Sequence, residues 1–456
     1  MLHVASRSRR GWSSNVVGRV KFCLLQRGRL ALLLLVALAA PVRAQAPGDQ
    51  SATAPEPAAT EPAELVAAED VPAPAPVEPV RTPRVQIHGF VSEGGFISTD
   101  NDYIGESSRG SLELFEVGLN VSTEVADKLR AGVQLFARDE GVFHDASPRI
   151  DWAYLDYAWR PWLGLRAGVI RMPYGLYNEY ADIDAARVPI LLPQSVYPFR
   201  NRDVLISHRG FSLYGTRELG DAGEIDYQAL LGTLIIPRSA LTIDGAELDR
   251  VDTKYVTGAQ LFWRPPFEGL RIGATFIRAS IDFHLTLDPA TTSQLVMLGL
   301  VPPDYDGTIV VSQRPDTLAV GSAEYIRGDL TLAAEYARSW TRQRSSLPSL
   351  LPTTTTDSER LYSMATYQVT PKLAAGAYYA VTRDADDRGG HSAKYMEPFQ
   401  AWQRDLAATL RFDVNDHWLW KVEAHFIDGT ADLDPILNPN PVRYWGLFLA
   451  RTTVTF

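Results

Sequence analysis

Cysteine is nearly absent from this chain: its one thiol, Cys23, stands close to the amino terminus. That excludes a disulfide scaffold or a cysteine metal site over the remainder. Lysine is scarce as well, with only Lys128, Lys254, Lys372, Lys394 and Lys421 beyond residue 21. After residue 40 no apolar run reaches the ~20 residues that a membrane-spanning helix needs. The eight histidines fall in no HExxH or nucleophile motif, so no cofactor, metal or catalytic group is expected. Basic excess is missing too. The 456 residues carry a net charge of −10, and the first 44 hold eight Lys/Arg and no acid, which leaves −18 for the rest. A chain this acidic lacks the basic face that nucleic-acid binding requires.

What is present begins with a secretion signal. Arg7, Arg9, Arg10, Arg19, Lys21, Arg27 and Arg29 precede the apolar run 30–40, and small residues at 42–46 offer a cleavage site. Residues 1–44 are therefore expected to be a signal peptide. Residues 45–82 hold eight prolines and seven acids among Ala and Thr, a composition that cannot bury enough apolar surface to fold. This stretch is expected to be a disordered periplasmic tail, leaving 83–456 as one structural unit.

From Val85 onward the dominant signal is period two. Phe115, Val117, Leu119 and Val121 alternate with Glu116, Gly118 and Asn120; Trp418, Trp420, Val422, Ala424 and Phe426 alternate with Lys421, Glu423 and His425. One face is apolar and the other polar, charged or glycine. Sixteen such segments are predicted, at 85–98, 111–123, 128–139, 149–159, 163–171, 207–217, 224–234, 252–263, 270–280, 316–326, 329–341, 359–369, 372–383, 402–413, 417–428 and 443–456. Their connections alternate in length. Seven short ones carry turn residues such as Arg160-Pro161, Arg327-Gly328-Asp329 and Asn415-Asp416, and eight long ones include 172–206 and 281–315. Short turns at one end and long loops at the other are the pattern of an outer-membrane barrel with both termini in the periplasm. The fold class expected is thus all-β, a sixteen-stranded antiparallel transmembrane barrel. Trp159, Trp162, Trp263, Phe267, Tyr325, Tyr367, Phe412 and Trp418 sit beside the short turns, where an interfacial aromatic girdle belongs.

A sixteen-stranded barrel is too wide for side chains to fill, so a lumen is expected. The parity assigns inward Arg130, Arg138, Arg166, Lys254, Arg271, Arg411, Lys421 and Arg451, with Glu116, Asp156, Glu224, Asp226, Glu324, Glu335, Asp405 and Glu423. Eight cations against eight acids predict weak ion selectivity. The 172–206 connection is long enough to be functional. Tyr174, Tyr177, Glu179, Asp182 and Asp184 lie in its first part and Arg187, Arg200 and Arg202 in its second, around the apolar run Val188–Leu192, which is unusual for a solvated loop and suggests packing against the barrel wall or another subunit. If that loop folds inward, acids facing arginines would set a transverse field across a pore constriction.

The stretches Val85-Gln86-Ile87-His88-Gly89-Phe90, Gly175-Leu176-Tyr177-Asn178-Glu179 and Leu191-Leu192-Pro193-Gln194-Ser195-Val196-Tyr197, with the alternating last strand ending in Phe456, resemble Gram-negative general porins. The greatest similarity is to the phosphate-selective porin O and P type. The resemblance implies a passive channel for small polar solutes and ions in the bacterial outer membrane, in contact with its lipid. It implies a homotrimer, and Phe456 as the signal read by the outer-membrane assembly machinery. The lysine-rich lumen of phosphate-selective members is missing here. An outer-membrane barrel enzyme or adhesin is the competing reading, and a gated transporter would need a plug domain for which residues 45–82 are too short.

Overall fold

The computed structural model describes residues 85–139, 146–199, 202–236, 246–386, 397–435 and 437–456. The expected signal, the expected tail and Arg200 lie outside them. The described chain is nearly all sheet. Strands β1 (Gln86–Ser98), β2 (Phe115–Ala126), β3 (Leu129–Asp139), β4 (Arg149–Arg160), β5 (Leu163–Arg171), β6 (Ser207–Glu218), β7 (Glu224–Leu234) and β8 (Ala246–Arg264) make the first half. The second half is β9 (Leu270–Leu287), β10 (Thr308–Arg327), β11 (Leu330–Ser345), β12 (Thr354–Thr370), β13 (Leu373–Asp386), β14 (Trp402–Asn415), β15 (Trp418–Gly429) and β16 (Tyr444–Thr455). Each pairs antiparallel with its sequence neighbours, and β16 pairs with β1 to close the barrel. Closure leaves no unpaired edge, which is what lets a sheet cross hydrocarbon. Among the described residues no helix is long and apolar enough to cross a membrane.

The seam runs from Phe90 opposite Thr455 to Ser98 opposite Leu447. It is finished by reciprocal bonds between Gly89 and Phe456, N to O at 3.0 Å each way. The Phe456 ring packs over Gly89, where a Cβ would come within 2.3 Å of it. The β10–β11 turn is the pair Gly328-Asp329, with Gly328 at φ 55°, a conformation that costs glycine little.

The surface is inverted relative to a soluble protein. Leu165, Phe211, Leu231, Phe276, Leu332, Leu361, Leu410, Val422, Phe426 and Phe448 are exposed on the outer wall, while Arg451, Lys421, Glu116 and Glu335 are buried inside. A continuous exposed apolar wall of this kind marks contact with another apolar phase. Each large side chain transferred to lipid gains about 1.5–3 kcal/mol. Of the aromatics beside the short turns, Trp159, Trp162, Trp263, Phe267, Tyr367, Phe412 and Trp418 are exposed on this wall.

β8 to β12 run past their predicted ends, and the expected 281–315 connection shrinks to 288–307, with a helix at Pro289–Met297. The reason is a change of phase. In β9 the outward apolar residues are Ile272, Ala274 and Phe276; further along, the apolar residues are Ile281, Phe283, Leu285 and Leu287, which are buried. Above the apolar band the strand turns its oily face inward, onto an apolar core shared with Leu248, Leu295, Ile309, Val311 and Leu350. Lys254 departs from its predicted lumen position for a related reason. It is the extra residue of a β-bulge between Thr253 and Tyr255, and it reaches Asp282 at 3.5 Å and Asp252 at 3.9 Å on the outer surface.

Candidate functional site: a strap across the barrel interior

The 172–206 segment leaves β5 and re-enters β6 at one place, where Met172 N donates to Ile206 O at 3.0 Å. Between those points it lies inside the barrel and bonds to the inner wall in three zones. Beside β3 to β5, Asp182 takes both terminal nitrogens of Arg171 at 2.7 Å and accepts from Gln134. Arg202 binds Asp151, lies 3.4 Å from Asp182, and stacks 3.9 Å above the Phe136 ring.

Across the barrel, Thr275 Oγ1 accepts from Gly175 N, and Gln260 donates to Gly175 O. Tyr197 donates to Glu335, which also accepts from Tyr362 at 2.8 Å and Ser322 at 2.5 Å. Ser195 donates to Leu361 O, and Arg360 donates to Ser195 O. Tyr174, Tyr177, Leu192 and Val196 are buried here in the main apolar cluster.

The third zone is β14 to β16. Lys421 Nζ meets Asp184 at 2.9 Å, with both side chains fully buried, and Thr453 donates to the other Asp184 oxygen at 2.8 Å. Glu423 accepts the backbone N–H of Ile190 at 2.7 Å and of Leu191 at 2.9 Å, and touches His425 at 3.0 Å. Arg411 donates to Ala185 O at 2.6 Å and to Arg187 O at 3.1 Å. Ile190 and Leu191 pack on Phe96, Leu447 and Leu449. The apolar run that is out of place in a solvated loop is thus the part pressed against the wall.

The electrostatics differ from the transverse field expected from sequence. Asp182 and Asp184 do not face arginines across an opening; each is a buried counter-ion touching its own cations. Burial alone would raise both carboxyls, yet Arg171 and Arg202 around Asp182, and Lys421, Arg451 and Arg187 around Asp184, hold them below the usual carboxylate range. Arg187 spends its donors on Ala181 O, Ile190 O and Pro189 O within the segment. Glu179 is half-buried, and Tyr174 is enclosed in apolar surroundings rather than lining a passage.

The residues predicted inward divide by height. Away from the strap, Arg130 bonds Gln86 and Ser122, and Arg166 pairs with Asp156 at 2.9 Å and stacks 4.2 Å from the Tyr214 ring. Arg271 pairs with Glu324 at 2.8 Å, whereas Arg411 pairs with Asp413 at 2.8 Å while also donating to the strap. At the strap, Arg138, Lys421 and Arg451 are buried, Arg451 against Glu116. Sequence reasoning missed Arg171, Asp151, Gln134 and Arg360. Arg360 had a readable signal, standing between Ser358 and Tyr362 on the polar parity of β12. Arg171 and Asp151 had none, since their roles exist only once distant strands are side by side.

No family model and no curated protein matches this sequence. Solved structures do match in fold. OmpT of Vibrio cholerae, an outer membrane protein in its trimer form, is 12% identical with a TM-score of 0.51, over 82% of this chain and 99% of that one. The outer membrane channel DcaP of Acinetobacter baumannii is 12% identical at 0.50, over 83% and 99%. An anion-selective porin from Comamonas acidovorans is 11% identical at 0.50, over 82% and 100%. At these identities the likeness is one of fold: the chain has the barrel architecture of bacterial outer-membrane channels.

Proposed function

We propose that this protein is a porin of the bacterial outer membrane, through which small hydrophilic solutes and ions diffuse passively along a lumen narrowed by the 172–206 strap. One observation carries this reading: a closed barrel, apolar outside and polar inside, holds within it a segment bonded to the wall on opposite sides. A polar interior of charges would be costly in a dry core and is cheap beside water. Planar-bilayer recording tests it. Stable conductance steps with a reversal potential near zero in a salt gradient are expected; a folded, inserted barrel that conducts nothing would refute it and favour an enzyme or adhesin.

Selectivity should be weak, because the inward charges pair within the wall: Arg166 with Asp156, Arg271 with Glu324, Arg264 with Asp226. An anion- or phosphate-selective channel is the alternative, and strong anion preference saturable by phosphate would establish it instead.

Association into homotrimers is part of the same proposal, and Glu93 supports it. This carboxylate faces outward on β1, level with Thr452 of β16, which in turn stands opposite Trp420 of β15. Charges facing lipid cost up to ~2–4 kcal/mol, less for Glu than for Arg or Lys, and contact with another copy would remove that exposure. Sedimentation in density-matched detergent should read three copies; a single copy would sink this part. Contact with the assembly machinery through Phe456 is proposed with it.

A further inference from the structure

The outer wall changes chemistry at a constant height. On β11 the outward residues run Leu332, Ala334 and Tyr336 and then Arg338; on β14 they run Phe412, Leu410, Ala408 and Leu406 and then Arg404. Arg209 on β6, Arg278 on β9 and Arg383 on β13 occupy corresponding exposed outward positions. Eight residues along a strand tilted ~40° climb about 20 Å, so these arginines mark the far edge of the apolar band. Aromatic rings share the level. Arg338 lies 5.2 Å from the Trp340 ring, Arg404 is 4.8 Å and Arg443 5.1 Å from the Trp402 ring, and Arg443 is 4.7 Å from the Tyr444 ring.

The six arginines outnumber the acids beside them. Asp357 is taken by Arg338 at 2.7 Å, with Glu359 at 3.9 Å, and Asp428 is shared between Arg443 at 2.7 Å and Arg404 at 3.5 Å. Arg209, Arg278 and Arg383 have no carboxylate within ion-pair distance among the described residues. Among the described residues Arg209 and Arg278 therefore stand exposed without an ion-paired carboxylate, and Arg383 lies across the β12–β13 ladder from Glu359 without forming an ion pair, at the boundary of the band where lipid phosphates lie. Guanidinium binds phosphate oxygens through paired donors, and rings at this level fix the depth.

We propose that this belt is a binding surface for the phosphate groups of anionic lipids in the outer leaflet. The inference rests on the membrane reading above and deepens it by assigning the lipid contact to named residues. β1 and β2, the wall that carries Glu93, present Ile97 and Phe115 toward this end rather than arginine, and the belt lies on the wall from β6 to the start of β16.

The test uses the full-length barrel in phosphatidylcholine bilayers with spin-labelled phosphatidylglycerol or phosphatidylcholine as reporter. The ratio of their association constants is read by electron spin resonance. A preference of severalfold for phosphatidylglycerol is expected, falling toward unity in R209Q/R278Q/R383Q, at roughly fivefold per arginine at most. The triple Lys variant should keep most of the preference. Millimolar inorganic phosphate should leave it intact, since membrane-held phosphates are the ligand; abolition by free phosphate would overturn the lipid assignment. A ratio of one in the wild type, or an unchanged ratio in the Gln variant, would overturn the proposal. A heat-shifted band on gels monitors folding of each variant. A wild-type chain that folds but does not enter the bilayer would overturn the membrane reading, and this inference with it.

Discussion

The strap can be loosened while the backbone ladder of the wall that carries it stays intact. Lys421 and Glu423 are on β15, yet their partners Asp184, Ile190 and Leu191 belong to the strap. Glu423→Ala leaves two buried backbone N–H groups without an acceptor, at about 1–3 kcal/mol each. Lys421→Met leaves the Asp184 carboxylate facing Arg187 at 3.7 Å and Arg451 at 4.0 Å but without its hydrogen-bonded ammonium. Breaking one side of a buried pair costs about 3–5 kcal/mol. The two changes act on the same stretch and will not add fully, so a combined weakening of about 4–6 kcal/mol is a fair figure. Against it stand the burial of Ile190 and Leu191 on Phe96, Leu447 and Leu449, and the Tyr197–Glu335 bond. In single-channel recordings the double variant should show larger, noisier steps than the wild type. The β14–β15–β16 backbone ladder is unchanged, so the folded band on gels should persist. Glu423→Gln, whose amide oxygen still accepts, should fall between them. Identical conductance in folded wild-type and double-variant barrels would show that the strap does not control the passage.

Deleting Phe456 removes the paired bonds to Gly89 and should lower the yield of assembled barrel while the molecules that insert conduct normally; normal yield would sink the assembly role. Gly89→Leu should act similarly, because its side chain would collide with the Phe456 ring. Asp432, in the connection between β15 and β16, has its carboxyl pushed up to about 6 by burial, against the opposing pull of Arg360 and Thr382. Between its ordinary value of 3.8 and about 6 the folded chain binds more protons than the unfolded one. Its contribution to stability is therefore full below about 4 and lost as pH rises through 6. Ionisation of the folded carboxyl around pH 6 adds a negative charge near the outer mouth, so the reversal potential should move toward cations between pH 5 and 7, and Asp432→Asn should abolish that movement. Arg166→Ala should leave Asp156 uncompensated and shift selectivity toward cations; an unchanged reversal potential would mean that this pair does not border the passage.

Period two made the sixteen strands legible because a wall between lipid and polar interior forces alternation at every position, and a one-residue slip would invert it. The same rule explains where the reading stopped. Beyond Arg278 the outer face of β9 no longer meets hydrocarbon and the inner face meets the apolar core, so the oily residues move from 272, 274 and 276 to 281, 283, 285 and 287. Taken with one phase throughout, the strand ends early; taken as two phases joined, the full 18 residues are visible. The strap is the opposite case. Its apolar run was anomalous enough to signal contact with the wall, but which wall residues receive it depends on β14 to β16, over two hundred residues later, and no local pattern encodes that. Charge assignment fails for the same reason. Asp182 and Asp184 are two residues apart, yet one is neutralised by Arg171 and Arg202 and the other by Lys421. Their separation in sequence carries no sign of a field, because the segment lies between opposite walls and hands neighbouring carboxylates to different partners. A strap tied this way is stiff where its charges are buried, and whatever passes must pass beside it; its ties, more than the net charge of the lumen, should therefore decide how large a solute gets through.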